Sequence, residues 1–134
     1  MAALTLGLAD FRDHVEAALA FRQPRLRVTV EGGQAVVVGN FLVAPLASGN
    51  ADRGFLATYC VRVEIEPSYP EVAPSVRETG GAIPRSADFH INSDGTCCVL
   101  VWEVWRATAP DVSIGPYFDG PLRNYFLTWC FLVC

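Results

Sequence analysis

From Phe55 to Glu66 the chain alternates. Phe55, Ala57, Tyr59, Val61, Val63 and Ile65 fall on one side, and Thr58, Arg62, Glu64 and Glu66 on the other. Side chains of a β-strand point to opposite faces with a period of two, so the pattern predicts a strand with one buried face and one wet face. Such a strand needs antiparallel neighbours and a second layer over its apolar side. The neighbours lie upstream. Leu26, Val28 and Val30 alternate with Arg27, Thr29 and Glu31, Gly32-Gly33 supplies a turn, and "QAVVVGNFLVAP" returns as one strand or two. Ala44–Arg53 reads as a polar loop. The second layer is offered by the N-terminus, where Leu4, Leu8, Phe11, Val15, Ala18 and Leu19 recur at helical spacing. Arg12, Asp13 and Glu16 take the other face, and Gln23-Pro24 stops the helix. The expectation is an α+β fold in which an N-terminal helix precedes an antiparallel β-meander.

Beyond Glu66 the character changes. Pro67, Pro70 and Pro74 forbid regular structure through "EPSYPEVAPSVRETGG", although Val76 opens one more short strand. Gly80 to Gly95 reads as irregular, and a long irregular segment in a small domain is commonly functional. Two Gly-Pro steps follow, and Leu122, Tyr125, Phe126 and Trp129 suit one face of a C-terminal helix. The last residues, "CFLVC", are bare and apolar. Either they pack on the core, or further residues follow and cover them. No repeat or linker divides the 134 residues, so a single domain over 1–134 is expected.

Hydrophobic residues make up 51% and charged ones 18%, which argues for a globular protein. The net charge is −4 with no basic run, so no nucleic-acid partner is expected. No apolar stretch approaches the ~20 residues that span a bilayer, so no membrane partner is expected. The N-terminal segment is apolar but has early acids and no basic leader, unlike a secretory signal. The five cysteines are odd in number, two are adjacent, and no CxxC occurs. We read free thiols in a reducing, cytoplasmic chain, with no structural zinc and no cofactor.

One stretch concentrates chemistry. "FHINSDGTCCVLVWEVW", Phe89 to Trp105, holds one of the two histidines, an Asn, an Asp-Gly turn and both adjacent cysteines. In an extended backbone neighbours face opposite ways, so one of Cys97 and Cys98 is buried and the other exposed. The residues alone do not say which. The buried one is a small hydrophobe, and the exposed one is a candidate nucleophile. Asp94-Gly95 reads first as turn chemistry.

The order helix, meander, Tyr69-Pro70 with Pro74, His90-Ile91-Asn92, then Gly95 and Cys98, resembles the ubiquitin-conjugating enzyme superfamily. That family has a Tyr-Pro turn, a His-Pro-Asn motif, and a catalytic cysteine three residues after a glycine. Ile91 stands in place of the proline, and the His-to-Cys spacing is two residues shorter. Both features are closer to the bacterial branch, whose His-x-x-x-Asp-Gly-x-x-Cys pattern is matched by His90, Asp94, Gly95 and Cys98. Those bacterial proteins are encoded in antiphage defence operons, either with a cyclic-nucleotide synthase or with a ubiquitin-like protein, an activating enzyme and a peptidase.

The resemblance implies an enzyme that carries a ubiquitin-like protein as a thioester on Cys98 and transfers it to a target amine. The partners implied are the ubiquitin-like protein, the activating enzyme and a target protein bearing an amine acceptor. The alternative is a catalytically silent module of the same fold that holds a ubiquitin-like protein or scaffolds a complex. Cys98 is the implied nucleophile, and Cys97 takes the family's inward apolar position. Asn92 inherits a role as oxyanion donor or loop brace. His90 braces the loop, tunes the thiol or acts as a base. Asp111 and Asp119 are candidates to orient the attacking amine, or else cap and loop residues. Trp102 and Trp105 are core residues or a lid beside the thiol, and His14 is structural. By family analogy the first helix docks the activating enzyme. All ten basic residues are Arg, so a bound thioester would find no lysine on its own carrier.

Overall fold

The computed structural model describes residues 7–43, 57–84 and 87–127. Leu4, the 44–53 loop, Phe55, Trp129 and the "CFLVC" end lie outside the described residues.

Helix α1 spans Leu8–Leu19 and buries Phe11, Val15 and Leu19, a spacing of four that lines one face. Arg12 on its flank pairs with Glu16 one turn on, at 2.9 Å, and donates through Nε to the Val28 carbonyl at 3.0 Å. His14 is exposed on this helix. Four strands follow in chain order, β1 (Leu26–Glu31), β2 (Gln34–Val43), β3 (Ala57–Ile65) and β4 (Ser75–Glu78), each antiparallel to the next. "QAVVVGNFLV" is therefore one strand. Gly32 and Gly33 both have positive φ, which a two-residue hairpin turn requires and glycine alone adopts freely.

The register explains the apolar pattern. Val28, Val37, Val63 and Val76 pair across all four strands and are all buried. Tyr59, Val61, Val63 and Ile65 of β3 face the same core, as the alternation predicted. On the opposite face Arg62 pairs with Glu31 and Glu64, each at 2.9 Å.

The C-terminal part holds helices where one was expected. Helix α2 (Trp102–Thr108) is followed by α3 (Ile114–Tyr117), a π-helical turn (Phe118–Leu122) and helical residues 123–127. Helix α2 buries no residue fully, so it leaves no apolar stripe in the sequence. The Gly-Pro steps read as breaks but are absorbed. Pro116 sits in the first turn of α3, where a missing N–H costs little. Pro121 falls in the π turn, where the widened helix accommodates the lost donor. Phe118 and Phe126 beneath this helix meet Phe41 of β2 at centroid distances of 6.3 and 5.6 Å. The result is a sheet with its helices packed into one core.

Residue Gln23 acts as a polar seam. Its side-chain amide donates to the Leu42 carbonyl at 3.0 Å and accepts from the Leu42 N–H at 2.8 Å. Gln23→Ala strands both backbone groups, so we expect a loss of about 1–3 kcal/mol in chemical denaturation. A change within about 0.5 kcal/mol would show that water replaces the amide freely.

Candidate active site

The candidate site is built where β4 hands over to the irregular segment. The nearly buried Glu78 carboxylate accepts backbone N–H groups from Gly80 and Ala82 at 2.8 and 3.0 Å, which folds the chain back after the strand. A 3₁₀ turn at Ala87–Phe89 then delivers His90, which has φ of 55°. Few residues other than glycine take such a value, and it marks a tightly constrained position.

From here the chain makes a small antiparallel loop. Ile91 and Cys97 form a bridge, and the Cys97 N–H donates to the Val76 carbonyl at 2.7 Å. That bond sews the loop onto β4. Inside the loop the Asn92 N–H donates to the Thr96 carbonyl at 2.8 Å, and Gly95, with φ of 89°, closes the turn. The Asp94 carboxylate accepts from the Thr96 N–H at 2.9 Å and from its hydroxyl at 2.6 Å. Those two bonds hold its pKa below the usual carboxylate value, with Arg77 nearby adding to the effect. A depressed folded pKa stabilises the native state above the unfolded value of about 4 and ceases to do so as pH falls through the folded value. The stability gap between wild type and Asp94→Ala should therefore close in acid, and a gap unchanged down to pH 2 would contradict this.

The two cysteines separate. Cys97 is buried with Ile91, and burial pushes its thiol pKa up. Cys98 is exposed, and its N–H donates to the His90 carbonyl at 2.7 Å. Native-state alkylation should therefore modify Cys98 and the exposed Cys60 and spare Cys97, as read by peptide mapping. Labelling of Cys97 at a rate equal to that of Cys98 would exclude this arrangement.

Cys98 and His90 both line a cleft of about 690 Å³. Val99, Leu100, Val101 and Trp105 line it as well. The π turn contributes Gly120 and Pro121 to the lining, and the helical residues after it contribute Asn124 and Tyr125. Trp105 thus borders the thiol's cleft. Trp102 is a packing residue, donating through Nε1 to the Pro70 carbonyl at 3.0 Å and lying against Tyr69 and Tyr117. The Tyr69 hydroxyl donates to the Val112 carbonyl at 2.7 Å. The proline-rich loop thereby holds α2 and the residues that lead into α3.

Other sequence candidates lie elsewhere. Asn92 is not in the cleft lining, and its amide donates to the Thr96 hydroxyl at 3.0 Å, bracing the loop. Asp111 accepts from the Ser113 N–H at 3.0 Å, and this side chain shapes the entry to α3. Asp119 pairs with Arg22 at 2.7 Å, tying the π turn to the residues just after α1. Asn124 and Tyr125 were missed as cleft residues. Their only sequence signal is their spacing of three and four from Pro121. Among the described residues no cluster of three His, Cys, Asp or Glu could hold a metal, and no helix is long and apolar enough to cross a membrane.

Comparison with models of known families, with curated proteins and with solved structures found no match. The cleft offers an exposed thiol, a neighbouring imidazole, a side-chain amide and apolar walls. That set suits acyl transfer through a cysteine.

Proposed function

We propose that this protein is a bacterial conjugating enzyme of the ubiquitin-conjugating kind, acting in the cytoplasm as part of antiphage defence. Cys98 takes the C-terminal acyl group of a ubiquitin-like protein from an activating enzyme and delivers it to an amine on a target protein. The observation that carries this reading is the exposure of Cys98 on the wall of a cleft it shares with His90, while Cys97 is turned into the core. The order of elements supports it, with a helix, a four-strand meander, the Tyr69-Pro70 loop and then the His90-to-Cys98 segment.

Each step exchanges one acyl bond for another. The Cys98 thiolate attacks the carbonyl carbon of the incoming thioester, a C–S bond forms, and the previous sulfur leaves as thiolate. An amine then attacks the same carbon, a C–N bond forms, the C–S bond to Cys98 breaks, and the amine's proton passes to solvent. The first exchange is nearly neutral in energy. The second builds an oxyanion and needs donors. ATP is consumed by the activating enzyme.

One observation favours the second reading, a silent module that only binds a ubiquitin-like protein. The Asn92 amide is spent on Thr96. The test is to incubate the protein with ATP and with an activating enzyme and a ubiquitin-like protein of the bacterial conjugation systems. A covalent adduct that disappears with reductant supports the enzyme. Binding without an adduct selects the module, and neither result leaves both readings without support.

A further inference from the structure

We propose that Tyr125 is a positioning residue for the thiol: its hydroxyl holds the Phe89–His90 peptide, and through His90 it fixes the backbone that presents Cys98. What is positioned is an acyl carrier, so this rests on the reading of Cys98 given above.

His90 is the weak point of the cysteine segment. Its φ of 55° lies in the left-handed region, which residues bearing a Cβ disfavour. A residue persists there only when its surroundings hold it. Two hydrogen bonds do so, one on each side. The Tyr125 hydroxyl donates to the Phe89 carbonyl at 2.9 Å, which fixes the peptide plane entering His90. The Cys98 N–H donates to the His90 carbonyl at 2.7 Å, which fixes the plane leaving it. The second bond forms only while His90 keeps its conformation, so the place of Cys98 depends on the first. Cys97 is anchored separately. Its N–H donates to the Val76 carbonyl at 2.7 Å, and it bridges to Ile91. The chain can therefore loosen at Cys98 without loosening at Cys97.

Tyr125 is a firm post for this task. It is buried, its ring meets Phe126 at 5.1 Å, and Phe126 packs on Phe41 in the core. The buried Cys97 thiol lies within hydrogen-bonding reach of the same hydroxyl. Tyr125, His90 and Cys98 all line the cleft. One hydroxyl thus joins the C-terminal helical residues to the segment that carries the thiol. In this role it exchanges no proton with the acyl group. The acyl group on Cys98 and a free amine give an amide and the Cys98 thiol.

Tyr125→Phe removes the hydroxyl and keeps the ring. Amide hydrogen exchange, read residue by residue by NMR, should show the Cys98 N–H exchanging about five- to tenfold faster in this variant, the net weight of one hydrogen bond. The Cys97 and Asn92 N–H groups donate to Val76 and Thr96 and should keep their wild-type rates. Adding His90→Gly should restore the Cys98 N–H, because glycine takes a positive φ without strain, and adding His90→Ala should not. A Cys98 N–H unchanged in Tyr125→Phe, all three amides accelerating together, or no rescue by glycine would each overturn the proposal.

The second readout uses a Gly-Gly peptide thioester of mercaptoethanesulfonate to acylate the exposed thiols Cys98 and Cys60, then free lysine as acceptor. Peptide mapping follows acyl loss from each. Discharge from Cys98 should outpace that from Cys60 in wild type, and Tyr125→Phe should cut this advantage about tenfold, since a misplaced reacting group loses rate steeply. Wild-type discharge from Cys98 no faster than from Cys60 would overturn the acyl-carrier reading, while the exchange rates still decide whether Tyr125 holds the loop. An advantage kept in full by Tyr125→Phe would overturn the positioning role alone.

Discussion

Cys98→Ala should abolish the reductant-sensitive adduct expected of the proposed enzyme, and Cys98→Ser should yield a slower-forming one that survives reductant. Both outcomes follow from what the position exposes. Alanine removes the nucleophile, and losses of at least about a thousandfold accompany such a change in cysteine and serine enzymes. Serine keeps the geometry but attacks poorly, because its hydroxyl is far weaker as a nucleophile than a thiol. The oxygen ester it forms is not cleaved by thiols, so the adduct changes chemistry rather than vanishing. Cys97→Ala should behave in the opposite way. Its sulfur is buried beside Ile91, so the change costs about 1 kcal/mol of packing and leaves the adduct intact. Gel mobility with and without reductant reads all three variants. A full adduct in Cys98→Ala, or its loss in a folded Cys97→Ala, would refute the assignment of the thiol.

The sheet was legible because a period of two leaves a direct trace. Val61, Val63 and Ile65 announce their common face, and the structure buries all three. The first helix was legible for the same reason, through Phe11, Val15 and Leu19. Helix α2 was not, since Trp102 and Trp105 alone turn inward and no full stripe forms. The cysteine pair was half legible. Alternation says that Cys97 and Cys98 point apart, but the choice between them is made by the bridge to Ile91 and the bond to Val76. Those are tertiary facts. Asn92 was readable as an oxyanion donor or a loop brace, and its side-chain amide donates to Thr96 within its own short loop. Asn124 lies 26 residues beyond Cys98 in sequence (124 − 98), and only the docking of the helix onto the sheet brings it to the thiol's cleft.

That docking rests on Phe41, and Phe41→Ala should cost about 3–5 kcal/mol. The ring is fully buried on β2 and meets Phe118 and Phe126 on the helix. Its strand partner Tyr59 stacks on the same Phe126 at 4.7 Å. Truncation therefore opens a cavity between two rigid layers that cannot close it without moving the helix. Domains of this kind retain about 5–15 kcal/mol in all, so the loss is a large share, and a thermal midpoint about 10–20 °C lower is expected. Val101→Ala, at a position 68% exposed on the cleft rim, should stay within about 0.5 kcal/mol and serves as the control. Phe126 directly follows Asn124 and Tyr125, so the cavity lies beneath the helical residues that line the thiol's cleft. A loss below about 1 kcal/mol would mean that the helix does not depend on this ring for its place on the sheet.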